Sequence, residues 1–133
     1  MIVCLDANIV IYLVEQNPLW EPKASARIAA FRAAGDEIAV CDAARLECLV
    51  GPYQTGNAAD VASYAAFFTA PGLRMLPVTR AVRERAARIR AEYGFSALDA
   101  LHLAAAAEHG CTRFLTNDAP LQRFPDVVVE ILS

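Results

Sequence analysis

The run Ile2-Val3-Cys4-Leu5 is apolar, rich in branched side chains, and stops abruptly at Asp6. A stretch so short and so free of polar interruption fits a strand buried on both faces. Comparable runs follow at Ile38-Ala39-Val40, Leu73 to Val78, Phe114-Leu115-Thr116 and Val127 to Ile131. Between them lie segments whose apolar residues recur at helical spacing. Doubly buried strands alternating with helices require a parallel sheet covered on both sides. The expected fold is therefore α/β, a three-layer α/β/α arrangement around a central, mostly parallel five-stranded sheet.

The helices have their own punctuation. One follows Asp6. A second is expected from about Glu21 to Ala34, with Pro22 tolerated in its first turn and Gly35 as the stop. A third carries Glu47 and is expected to end at Gly51-Pro52, and a fourth spans Asn57 to Thr69, closed by Pro71-Gly72. The strand at Leu73 to Val78 is placed at a sheet edge, because Pro77 cannot donate to a ladder. Val82, Ala86, Ile89 and Tyr93 form one face of an arginine-rich helix ended by Gly94. Ser96-Ala97-Leu98-Asp99 is a capping box opening a long Ala/Leu helix that runs to His109-Gly110. His109 is expected to interact with the helix dipole there.

No Pro/Gly/Ser-rich linker divides the 133 residues, so residues 1–133 are expected to form one domain. The chain is 56% hydrophobic and 20% charged, a globular composition. Its mean hydropathy of +0.32 suggests a covered apolar surface, and a homodimer is the simplest cover. The helices at 57–70 and 80–93 are the expected contributors. A net charge of −3 gives no overall attraction to nucleic acid, so any such contact must be local. Arg80, Arg83, Arg85, Arg88 and Arg90 supply a local cluster, equally readable as a solvated helix face. Cys4, Cys41, Cys48 and Cys111 form no CxxC pair and match no zinc template, so they are expected to be reduced and structural. That chemistry suits a cytoplasmic location. Asp6 breaks the apolar N-terminus without a basic segment before it, which argues against a signal peptide, and no apolar run is long enough to cross a bilayer.

Four acids occupy places where a merely solubilising carboxylate is out of keeping. Asp6 follows one buried strand directly, and Asp118 lies just past another. Ligands in open α/β sheets bind at such carboxyl ends, near the switch in strand order. Asp99 opens an apolar helix, where it also suits capping, and Glu47 sits among Leu46, Cys48, Leu49 and Val50. Carboxylates converging on one crevice repel each other, and a hard divalent cation relieves this. With no Cys/His set available, Mg2+ fits better than zinc, and Mn2+ can substitute. His102 lies three residues after Asp99 on the same helical side, a spacing that could form half of a metal site. Amid Leu101, Leu103 and alanines it reads instead as a packed histidine behind the site. Tyr12, Trp20, Phe67 and Phe68 read as core or interface residues.

The segments IVCLDANIVIYLV, AARLECLVGP, PGLRMLPVTRAV, SALDALHLAAAAEHGC and FLTNDAPLQRFP occur in an order and spacing that resemble the PIN-domain family. Within it they look like the VapC-type toxins of toxin–antitoxin pairs. The resemblance covers nearly the whole chain. It implies metal ligation and catalysis by Asp6, Glu47, Asp99 and Asp118, with Asn8, Thr116 and Asn117 shaping the pocket or orienting water. It also implies an endoribonuclease acting on single-stranded regions of structured RNA, tRNA first among them, and a cognate antitoxin as partner. Three positions depart from the family's habit: Ala7 where Thr is usual, Cys41 where Ser is frequent, and Leu98 where Pro is frequent. None removes a carboxylate. Two other readings stand beside this one. Asp6-Ala7-Asn8 is similar to the opening of aspartate-based phosphoryl-transfer domains, but the second aspartate of that pattern is missing and Lys23 is the only lysine. A catalytically silent PIN-like interaction module is the other.

Overall fold

The computed structural model describes residues 1–133. Five strands, β1 (Ile2–Leu5), β2 (Glu37–Cys41), β3 (Leu73–Leu76), β4 (Arg113–Thr116) and β5 (Val128–Ile131), form one sheet in the order β3-β2-β1-β4-β5. Every neighbouring pair is parallel, so the sheet is wholly rather than mostly parallel. Six helices connect them: α1 (Ala7–Val14), α2 (Trp20–Ala33), α3 (Ala44–Thr55), α4 (Ala58–Phe68), α5 (Arg80–Tyr93) and α6 (Ala97–Glu108). A short 3-10 turn at Ala119–Arg123 precedes β5. No helix is long and apolar enough to cross a membrane.

Strand pleating divides the interior into two cores. Cys4, Ala39, Cys41 and Phe114 face α5 and α6. Val3, Leu5, Ile38, Val40 and Leu115 face α1 to α4. Small side chains in the strands of the first core let α6 lie close, and its Ala104, Ala105 and Ala106 are fully buried. Phe114 fills the space that remains. Truncating it to Ala should cost about 3–5 kcal/mol through lost transfer energy and an unfilled cavity.

Chain order runs outward from β1 to β2 and β3, then returns to pair β4 with the other side of β1. The switch in strand order therefore lies between β1 and β4. Their register sets Leu5 opposite Leu115, so Asp6 and Thr116 emerge together at the carboxyl ends. Asp6 N–H donates to the Leu115 carbonyl at 2.9 Å, continuing the ladder one residue further.

Local expectations fail at several boundaries. The helix carrying Glu47 does not stop at Gly51-Pro52 but continues to Thr55. Pro52 loses only its own N–H bond, its ring is buried, and left-handed Gly56 makes the actual cap. α2 begins at Trp20 rather than Glu21, because the Asn17 side chain accepts the N–H groups of both Leu19 and Trp20 at 3.0 Å. β3 is at the edge as expected, yet it stops at Leu76, one residue before Pro77. β5 begins at Val128 instead of Val127. His109 Nε2 lies 2.9 Å from the Pro77 carbonyl, so its ring ties α6 to the segment after β3. The large apolar side chains most exposed on any helix are Leu46, Val50 and Tyr53 of α3, not residues of α4 or α5.

Candidate active site

Asp6 is the N-cap of α1 and only 3% exposed. Its Oδ1 accepts the Ala7 N–H at 2.8 Å, and its Oδ2 accepts the Thr116 hydroxyl at 2.7 Å. The same Thr116 oxygen accepts the Asp118 N–H at 3.1 Å and the Asn8 amide at 3.4 Å. One hydroxyl thus joins the ends of β1 and β4 to the loop carrying Asp118. Burial of a carboxylate is costly unless its lone pairs are met, and here two donors meet them.

Two helices from opposite faces of the sheet complete the floor. α3 brings in Glu47, and α6 brings in His102, which is fully buried. His102 Nε2 stands 3.6 Å from Glu47 Oε2. One ligand atom from each of Asp6, Glu47 and His102 lies within 4.8 Å of the others. Asp99 and Asp118 do not join at that spacing; the Asp99 charge acts on Asp6, and the Asp118 charge acts on Asp99. Burial pushes the Asp99 carboxyl above its ordinary range; the Ser96 hydroxyl opposes this, while Asp118 and Glu47 push it further up. Asp6 is also raised by burial, against the His102 charge and the bonds from Thr116 and Ala7, and Asp99 adds to the rise. For His102, burial alone would lower the pKa. Its neighbours Cys41 and Glu47 and the Asp6 charge reverse that balance and hold it at about 10.

The remaining expected residues take distinct places. Asn8 reaches Thr116 through its amide nitrogen, while its Oδ1 is buried without a partner. Asn117 donates to the Tyr12 hydroxyl at 3.0 Å, and Tyr12 stacks on Trp20 with centroids 5.8 Å apart. Asn117 therefore ties the loop after β4 to α1. The approach of His102 to Glu47 is what the sequence reading missed; the only signal for it was the three-residue spacing from Asp99.

The donor set suits a divalent cation. It combines carboxylates, one imidazole, and buried polar atoms on Asn8 and His102 that no protein group satisfies. Leaving a buried polar atom unmet costs about 1–3 kcal/mol, and an ion among Asp6, Glu47 and His102 would relieve His102 Nε2. The largest surface cleft, about 430 Å³, lies elsewhere, between α2 and the end of the chain. Its Arg27 and Glu130 are already paired with each other, and its Lys23 ammonium lies 4.9 Å from the centre of the Trp20 ring.

No curated protein sequence matches the chain. Solved structures do match its fold. A chain of the VapBC2 complex from Rickettsia felis, bound to a DNA fragment of its promoter, superposes with a TM-score of 0.82 at 17% identity, with 100% of each chain covered. VapC20 from Mycobacterium tuberculosis, a sarcin–ricin loop cleaving toxin, gives 0.75 at 15% identity over 95% of this chain and 98% of that one. FitAcB from Neisseria gonorrhoeae gives 0.73 at 20% identity over 96% and 95%. The PIN domain family model matches residues 3–127, and with the all-parallel sheet and its strand-end acids this establishes that the chain belongs to the PIN-domain family.

Proposed function

We propose that the protein is a metal-dependent endoribonuclease, the toxin of a toxin–antitoxin pair, that hydrolyses phosphodiester bonds in single-stranded stretches of structured RNA. The observation that carries this reading is the meeting of Asp6, Glu47 and His102 within 4.8 Å at the strand-order switch, with Asp118 close enough to raise Asp99. Asp6, Glu47, Asp99 and Asp118 would hold Mg2+ or Mn2+, which when bound supplies an acidified water and offsets charge on the phosphate.

The protein's own groups have separable tasks. Asp6 is held rigid by Ala7 and Thr116, as a binding carboxylate must be. Glu47, whose side chain is 30% exposed, stands where it can accept the proton of the attacking water. Asn8 and Thr116 orient groups at the floor, and Asn117 ties the loop after β4 to α1. Arg88 and Arg90 take part in no ion pair, so their guanidinium groups remain available for backbone phosphates, while Arg83 donates to the Val78 carbonyl at 2.8 Å. Arg80 and Arg85 are engaged with Glu84, Glu108 and Asp126.

Transfer RNA is the favoured substrate, and the ribosomal sarcin–ricin loop is the second, since one protein of this fold is described as cutting it. Incubating the protein with both RNAs in Mg2+, Mn2+ or chelator tests the reading. Cleavage that survives chelation rejects the metal, and no cleavage of any RNA favours a silent interaction module.

The expected partner is an antitoxin, because two proteins of this fold were solved in such complexes, VapBC2 and a toxin–antitoxin complex from Klebsiella pneumoniae. An acidic crevice invites an inserted Arg, and the exposed Leu46, Val50 and Tyr53 beside Glu47 offer apolar anchorage for the same segment. Tyr53→Glu should then weaken inhibition without weakening cleavage. Self-association into a homodimer is checked by light scattering of the free chain.

A further inference from the structure

We infer that His102 is itself a metal ligand: as the ion enters, the ring releases its Nε2 proton to solvent and binds the ion through Nε2 together with Asp6 and Glu47, so that the site takes a first-row divalent metal, Mn2+ in preference to Mg2+. This rests on reading the acids as a metal centre and adds a nitrogen donor to it.

A histidine that merely fills a core should satisfy at least one ring nitrogen, since buried polar atoms are rarely left unmet. His102 is 0% exposed, and neither Nδ1 nor Nε2 has a hydrogen-bonding partner. Its Nε2 does have neighbours suited to another purpose. Glu47 Oε2 is 3.6 Å away, outside hydrogen-bonding range, and an Asp6 oxygen completes a group spanning no more than 4.8 Å. Ligands about 2.1 Å from one ion lie about 3.0 Å apart when adjacent and about 4.2 Å apart when opposite. The Glu47–His102 separation falls between these values. Small side-chain rotations would bring all three donors onto one centre.

The position is also mechanically firm. His102 lies in the second turn of α6 and is fully buried, so its ring has little freedom to swing away. Imidazole is a poor ligand for Mg2+, which prefers oxygen and retains its water, and a better one for Mn2+ and later first-row ions. A centre with one buried nitrogen donor therefore discriminates where an all-carboxylate centre would not.

The test is pulsed EPR on the full chain loaded with Mn2+, because a directly bound imidazole imprints ¹⁴N modulation on the manganese signal. The chain has two histidines, and His109 is occupied with the Pro77 carbonyl. The expected result is ¹⁴N modulation in the wild type and in His109→Gln, absent from His102→Gln. His102→Gln should also weaken Mn2+ binding about tenfold while Mg2+ binding, read by competition, changes about twofold or less. Should that variant fail to fold, the wild-type and His109→Gln spectra still decide. Bound Mn2+ without ¹⁴N modulation overturns the role of His102 and leaves the acidic centre standing. No Mn2+ binding at all removes both.

Discussion

The Thr116 hydroxyl donates to Asp6 Oδ2 at 2.7 Å, linking the ends of two strands that are 110 residues apart in sequence. Because the same oxygen accepts from Asp118 N–H and from Asn8, it is the hub of the crevice rather than an ornament of it. Thr116→Val keeps the shape and removes all three bonds. It should cost about 1–3 kcal/mol of stability, since the buried Asp6 carboxylate loses a donor. RNA cleavage should fall with it, whereas Thr116→Ser should retain most of both. Denaturation curves and cleavage rates for the two variants check this, and equal behaviour of Val and Ser would show the hydroxyl to be idle.

If Asp6 and Asp99 hold the metal as proposed, Asp6→Asn and Asp99→Asn should each lower cleavage at least about a hundredfold. Their stabilities should differ. Asp99 is raised by burial and by Asp118 and Glu47, so in chelator Asp99→Asn should be as stable as wild type or more so. Asp6→Asn places an amide donor where Ala7 and Thr116 already donate, and it should be less stable. Adding Mn2+ or Mg2+ should raise the melting temperature of the wild type and of neither variant. A variant that still gains metal stabilisation is not missing a ligand.

These expectations show what the sequence could and could not convey. β1 was legible because a strand buried on both faces leaves an unbroken apolar run, and Asp6 was legible because it ends that run. The joint position of Asp6 and Thr116 follows from parallel register, which the alternation of elements already implied. Glu47 and His102 were harder. They sit on helices packed against opposite faces of the sheet and meet only beyond the end of β1, a relation no local pattern encodes. Pro52 shows the opposite case: tertiary burial of α3 outweighs the one hydrogen bond that the proline removes, so the helix runs on past it. Asn117 was placed in the right loop, but its amide partner on α1 could not be read from residues so distant in sequence.

All four cysteines are free and buried, and their thiols should differ in reactivity. Burial, aided by Glu47, pushes Cys48 up to about 12, so it should resist thiol reagents in the native state. Cys4 and Cys111 act on each other, so that the Cys4 thiol is held well above the ordinary range, with burial adding to the rise, and the Cys111 thiol lies below it. Labelling of the native protein should thus start at Cys111 and stop there, while the unfolded chain should label at four sites. Mass mapping after brief treatment decides the order. Early modification of Cys48 would contradict the packing of α3 against α1.

Glu130 of β5 receives Arg27 through two bonds of 2.6 and 2.8 Å and Arg113 through a third of 3.0 Å. The Arg27 hydrogen bond lowers its pKa, burial opposes, and the charges of Arg27 and Arg113 lower it further. A carboxylate whose folded pKa lies below its unfolded value of 4.5 binds fewer protons in the native state. Its contribution is therefore fully present above that unfolded value and disappears as pH falls through the folded one. Arg27 and Arg113 are more than a third exposed, so solvent screening limits the whole cluster to about 1 kcal/mol. Glu130→Gln should be less stable than wild type by that amount at about pH 7 and about pH 5, with the gap closing towards about pH 3. Salt should shrink the gap at neutral pH, since the arginine ends of the pairs reach solvent. Urea denaturation at the three pH values measures it. A gap that persists unchanged at the lowest pH would mean that Glu130 supports β5 through packing, not through its charge.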